Sequence, residues 1–255
     1  MGIEAMNVEE DSKAYYWYHC VDLLNGFVTD GDYDLRDQIG QFGFPEDMKG
    51  LTALDVGRAS GYFAFEMEER GADVTACDIP SFLDWDFVGG PKHRQELAAQ
   101  VGDVETYSRQ QITGAFEFAR WQRKSNVKSK LINAYHLSPE AFDGQKFDVV
   151  FAGSITSHLR DPILAFEKLH SVTRGKCIIS APTFEIAGTE QVPLMWLVGT
   201  SDSDRRSWWS VNDKALIEML KCACFDRIEI HSRVEIAHRR LPDLKVPHVI
   251  VHAYV

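Results

Sequence analysis

The stretch from Leu51 to Asp78 constrains this chain more than any other part of it. Leu51 to Val56 (LTALDV) is a short apolar run closed by Gly57, the pattern of a buried strand running into a turn. Tyr62 to Glu69 (YFAFEMEE) reads as a helix stopped by Gly71, and Asp73 to Cys77 (DVTAC) as a second strand that runs into Asp78. Two strands joined through a helix in this way pair in parallel. The rhythm continues with strands at Lys130 to Tyr135, Phe147 to Ala152 and Lys176 to Ala181. Asp161 and Pro162 open a helix over Ile163 to Val172, with Pro at the first helical position, and Asn212 caps another that runs through Cys224. Asp226 to Ser232 and His248 to Val255 are the last two strands. The alternation predicts an α/β fold, a mostly parallel sheet with helices on both faces. The link from Arg239-Arg240-Leu241-Pro242 to Val246-Pro247 is too short and too Pro-rich for a crossover helix, so the last strand is expected to run antiparallel.

Two segments break the rhythm, 81–125 and 183–209. Both follow the C-terminal end of a strand, where open α/β sheets place their binding crevice, so they read as lids. Residues 1–50, with the cluster Tyr15-Tyr16-Trp17-Tyr18-His19, read as a short helix and loops packed on a domain spanning 51–255. A chain of 255 residues with 45% hydrophobic and 25% charged side chains has the make-up of a globular protein. The longest apolar run, Val192 to Val198, is too short for a bilayer, which takes about 20 residues. The acidic opening MGIEAMNVEEDS has no apolar signal region, and the five cysteines are scattered with no C-x-x-C pair. A reduced, cytoplasmic setting is expected. The net charge of −11 argues against a broad nucleic-acid surface, since phosphate neutralisation by Lys and Arg supplies most of that affinity.

The turn Asp55-Val56-Gly57-Arg58-Ala59-Ser60-Gly61 lets a ligand approach the backbone and meet N–H groups at a helix start. Asp78, at the end of the second strand, stands where an acid accepts hydrogen bonds from two ribose hydroxyls; capping of the next loop is the plainer role for it. A dinucleotide fingerprint wants G-x-G-x-x-G, and this turn departs from it. Its D-x-G-x-A-x-G spacing resembles motif I of class I S-adenosylmethionine-dependent methyltransferases, with Ala59 where glycine is usual. The antiparallel last strand is also that family's signature. Residues 51–80, 147–180 and 208–230 resemble the catalytic domain of the wobble-uridine tRNA methyltransferase group and its shorter relatives of unassigned substrate, and 17–36 is similar to the opening of those relatives. The resemblance implies a Rossmann-like class I methyltransferase sheet with lid insertions and S-adenosylmethionine as cofactor. In the tRNA enzymes a Tyr that helps recognise a carboxylated cofactor precedes a His after the fourth strand. Ser157 stands at that position here, so the resemblance implies ordinary S-adenosylmethionine and plain methylation.

Cofactor contacts are therefore expected from Asp55, Gly57, Arg58, Ala59, Ser60, Gly61, Asp78 and Ile79, from Tyr135 and His136 beside adenine, and from Gly153 and Ser154. Methyl transfer from a sulfonium is an in-line displacement in which the protein orients the acceptor and removes a proton. His158, after the fourth strand, is the first candidate base, a structural histidine being the alternative. His19 is the second. Arg160 can hold an anionic acceptor or pair with Asp161. Trp17, Tyr18, Trp85, Trp208 and Trp209 are the expected acceptor-binding aromatics, with the core as the competing place for Trp17. Trp121, Phe116 and Phe118 suit a pocket wall. Arg120, Arg123, Lys124, Lys128 and Lys130 form the one local positive cluster. No metal is expected. The expected activity is methylation of a small polar metabolite at oxygen, with a tRNA wobble-uridine methyltransferase and a non-catalytic cofactor-binding module as alternatives.

Overall fold

The computed structural model describes residues 7–201 and 205–255; the first residues of the acidic opening stretch and three residues of the second insertion lie outside them. In chain order come α1 (Val8–Ser12), β1 (Thr52–Val56), α2 (Tyr62–Glu69), β2 (Asp73–Asp78), α3 (Gly90–Val101), α4 (Val104–Ser108), α5 (Gly114–Arg123), β3 (Lys128–Leu131) and β4 (Phe147–Gly153). They are followed by α6 (Pro162–Val172), β5 (Thr173–Pro182), β6 (Met195–Leu197), β7 (Trp209–Val211), α7 (Asp213–Cys222), β8 (Arg227–His238) and β9 (Leu241–Tyr254). Seven strands form one sheet in the order β3-β2-β1-β4-β5-β9-β8. The first five are parallel, and β9 runs antiparallel between β5 and β8. The expected antiparallel last strand is thus present, threaded inside the sheet rather than at its edge.

Alternate residues of each strand face opposite layers. Ala53, Val149, Phe151 and Ile178 point to a layer made by α2, α5 and the N-terminal segment. Leu54, Val150, Cys177 and Ile179 point to one made by α6 and α7. The N-terminal segment enters the first layer through a short 3₁₀ helix, Arg36–Phe42, whose Phe42 is fully buried against Phe63 at 4.8 Å. Helix starts follow the expected chemistry: Asp161 caps α6 through Leu164 N–H and Asn212 caps α7 through Ala215 N–H.

Three expectations change. The strand read at 130–135 is β3 alone, because Asn133 caps a 3₁₀ turn over Ala134–His136. The last two strands are longer than their apolar runs and meet in a tight hairpin at Arg239 and Arg240. Residues 81–125 are not all lid: α5 puts Ala115, Phe116 and Ala119 into the core and is the crossover helix between β2 and β3. Trp121, on its outer face, is 61% exposed and lines neither of the two cavities described below. The basic cluster is largely paired, Arg120 with Glu117, Arg123 with Glu69 and Lys128 with Asp73. Among the described residues no helix is long and apolar enough to cross a membrane.

His252 on β9 donates from Nε2 to the Phe42 carbonyl at 3.0 Å and stacks on His231, tying the N-terminal segment to the sheet. Burial pushes it down to about 4. Between that value and about 6.5 the unfolded chain binds the proton and the folded chain does not, so this contribution is full above pH 6.5 and is lost on acidification. Thermal melts from pH 7 to 4.5 should show the wild type losing stability relative to His252→Gln, by at most about 1.4 kcal/mol per pH unit. Parallel curves would contradict the assignment.

Candidate active site

The turn after β1 is built on left-handed backbone. Gly57 has φ +77°, Ala59 +47° and Gly61 +89°. A Cβ at Gly57 would lie 2.5 Å from Ile155 Cγ2, so glycine is required there by space as well as by angle. Ala59 adopts the same left-handed conformation, so the position where glycine is usual carries a side chain at a conformational cost. What holds it is Asp78: one carboxylate oxygen accepts Ala59 N–H at 3.0 Å and the other accepts Ile79 N–H at 2.8 Å.

Two acids and one arginine lie under this turn. Asp55 is buried, and desolvation together with the nearby Asp78 pushes its carboxyl up to about 7. Asp78 is also raised by burial, with Arg58 and the two N–H donors pulling the other way. Arg58 is fully buried, its guanidinium 4.2 Å above the Phe116 ring and within 3.4 Å of the Ala76 and Lys130 carbonyls. Its side chain is therefore the buried counter-charge of the turn and does not line the cavity described below. Ser60 is buried too, and its hydroxyl accepts the N–H groups of Tyr18 and His19, which hangs the N-terminal segment on the turn.

These elements open into a cavity of about 1000 Å³. Ala59, Ser60 and Asp78 line one side, and Tyr16, Tyr18, Asp32 and Tyr33 come from the N-terminal segment. Phe82, Trp85, Phe87 and Ile112 belong to the first insertion, Ser154, Ser157 and His158 follow β4, and His238 and His248 come from β8 and β9. The volume is at the top of the range of small-molecule sites, enough for a cofactor and an acceptor together. His158 Nδ1 lies 2.9 Å from the Arg206 carbonyl, and its ring meets Trp85 edge-on at 5.6 Å. A carbonyl only accepts, so Nδ1 carries the proton and the lone pair of the neutral ring is on Nε2.

Several expected site residues have other work. Trp17 is a core residue, bonded to the Ser12 carbonyl and packed on Phe118. His19 is buried against Tyr62 and Phe63, and desolvation pushes it down to about 3, far too low for a general base at neutral pH. Tyr135 donates its hydroxyl to Asp86 at 2.8 Å and accepts Asp161 N–H. His136 is exposed. Arg160 lies over the Trp208 ring, its carbonyl accepts Trp209 Nε1–H, and its N–H donates to Asp86 at 2.7 Å. Trp208 in turn donates to the Asp86 carbonyl. Asp86, which no sequence pattern marks, is thus the joint between the first insertion, the loop after β4 and the second insertion. Asp32, His238 and His248 were equally unmarked. Asp32 accepts the Tyr16 hydroxyl at 2.7 Å and pairs with Arg240 at 3.2 Å, and His238 Nδ1 accepts Arg240 N–H.

No protein-family model matches the sequence, and a search of curated proteins finds no match. Solved structures do share the fold. The N-terminal domain of EvdMO1 with S-adenosylhomocysteine bound matches at TM-score 0.57 and 15% identity, covering 100% of both chains. Against EvdMO1 itself the TM-score is 0.56 at 15% identity, covering 100% of this chain and 50% of that one. The 1,6-didemethyltoxoflavin-N1-methyltransferase of Burkholderia thailandensis is more distant, at TM-score 0.46 and 16% identity over 81% and 71% of the two chains. The fold is the Rossmann-like methyltransferase fold, mostly parallel with one reversed strand.

Removing the Asp86 carboxylate leaves the Tyr135 hydroxyl and Arg160 N–H without their acceptor. Asp86→Ala should cost about 1–2 kcal/mol, a fall of roughly 2–8 °C in Tm, and should raise amide exchange in residues 81–108 and 157–161. An unchanged melting curve would remove Asp86 from this role.

Proposed function

We propose that this protein is an S-adenosylmethionine-dependent methyltransferase that acts on a small polar molecule, methylating it at oxygen with His158 as general base. The observation that carries this reading is that Asp78, the left-handed Ala59–Ser60 turn and His158 open into one cavity roofed by both insertions. The site fits the cofactor: Ala59 and Ser60 of the turn line the cavity, and Asp78 lines it at the end of β2, where ribose hydroxyls are recognised. When bound, the cofactor supplies an electrophilic methyl group on a sulfonium.

The chain's own part is orientation and proton removal. Asp78 holds the ribose end, Trp85 and Phe82 provide apolar wall, and the insertions exclude water from the reacting atoms. His158 Nε2 takes the acceptor's proton as the hydroxyl oxygen attacks, and the imidazolium keeps its Nδ1–H bond to the Arg206 carbonyl throughout. The paired basic cluster and the net charge of −11 favour a small acceptor over tRNA. All five cysteines are unpaired, in keeping with a cytoplasmic protein.

Calorimetry should detect binding of S-adenosylhomocysteine, and Asp78→Ala should weaken it at least tenfold, about 1.4 kcal/mol. Absence of binding by the wild type would end the reading. Homocysteine-coupled turnover with a panel of hydroxylated acceptors should fall roughly 10²–10⁴-fold in His158→Ala while cofactor affinity stays within twofold. Undiminished turnover would eliminate His158 as base, and RNA copurifying in a salt-sensitive complex would favour the tRNA enzyme instead.

A further inference from the structure

Adjoining the large cavity is a second, smaller chamber of about 40 Å³. Its polar wall is Tyr18, His19, Tyr33, Ser154, Ser180 and His248, and the rest is apolar. Tyr18, Tyr33, Ser154 and His248 line both spaces, so the chamber is continuous in its walls with the large cavity. A volume of this size accommodates about two or three water-sized groups.

The chemistry of the wall selects what enters. His19 is 4% exposed, and its buried Nδ1 has no hydrogen-bond partner among the described protein groups. His248 donates from Nδ1 to the Val246 carbonyl at 2.9 Å, which leaves its lone pair on Nε2. The Ser154 and Ser180 hydroxyls are 3.5 Å apart and have capacity for a further partner. Burial keeps both His19 and His248 neutral, so no lining group carries a formal charge at neutral pH. An ion placed here would lose its hydration with no opposite charge to replace it. An alkyl group would leave His19 Nδ1 unsatisfied. A hydroxyl both donates and accepts, and so satisfies His19 in either tautomer.

We propose that the chamber is a binding site for a neutral hydroxyl group and forms the deep end of the acceptor cavity, holding water until the acceptor's own hydroxyl replaces it. The second half rests on reading the large cavity as the methyl-transfer cavity; the first does not. It also gives His19 a role: it selects the acceptor instead of deprotonating it.

Crystals of the full chain, grown with and without S-adenosylhomocysteine, test this. Ordered density within hydrogen-bonding distance of His19 Nδ1 is expected in both, and a dry chamber would overturn the proposal. Soaking with ethylene glycol should replace that density with a glycol oxygen; glycol confined to the large cavity while water stays put would reduce the chamber to a structural water site and overturn its role for the acceptor. Acetate entering in place of water would overturn the neutral selectivity. His19→Phe, which keeps the ring contacts to Tyr62 and Phe63, should empty the position beside residue 19, whereas His19→Asn should retain it. An occupant that persists in His19→Phe would remove His19 from the site. Failure of cofactor binding in calorimetry would strike the methyl-transfer reading and leave the density measurement standing.

Discussion

Everything at the crevice depends on the hydrogen bond from Ala59 N–H to the Asp78 carboxylate. It joins the turn after β1 to the end of β2 and holds a non-glycine residue in left-handed backbone. It also requires a carboxyl group at a largely desolvated place, close in space to a second buried acid, Asp55. Arg58 answers that requirement from below, buried between the sheet and α5 on the face of Phe116. A buried arginine is costly unless paired, and removing one partner of such a set leaves uncompensated charge. The turn, the two acids and the arginine therefore stand or fall together, and α5 is needed to close the arginine in.

The roof is held by a different kind of interaction. Among the described residues neither insertion has a large core of its own; ahead of α5 the first contributes the small cluster around Phe82, Phe87 and Ile112. Its position comes from Asp86, which reaches the loop after β4, and from the Gln110 carbonyl, which accepts Tyr16 N–H of the N-terminal segment. The N-terminal segment is held differently, by Val21, Leu23, Phe42, Phe44 and Met48 in the main core, with polar ties added by Ser60 at the turn and by Arg239 and Arg240 of the hairpin on Asp30 and Asp32. A rigid sheet carrying a roof tied by a handful of polar contacts suits a site that must admit and release ligands, since elements with little buried apolar area open most easily.

The parallel sheet, the glycine turn and the acid after β2 were legible because each is local: apolar runs, a short glycine spacing, one carboxylate at a strand end. Trp17, His19 and Arg58 show where that legibility stops. Their residue types suit binding or catalysis, and their chain positions are near the site, yet all three turn into the interior. No spacing rule says which side of a loop a side chain takes when the loop itself is placed by contacts far along the chain. Tyr135 is the same case, since its hydroxyl is claimed by Asp86 from another segment.

By itself the sequence determined the layer architecture and the reversed last strand, because hydrophobic period and connection length act over neighbours in the chain. It also determined the turn that Asp78 holds. Only the tertiary structure decided that β9 lies between β5 and β8, that His158, His238 and His248 share one cavity, and that His19, kept neutral by burial, lines a chamber adjoining it. Those outcomes are set by desolvation and by partners brought together from distant segments, and both quantities exist only once the chain has folded.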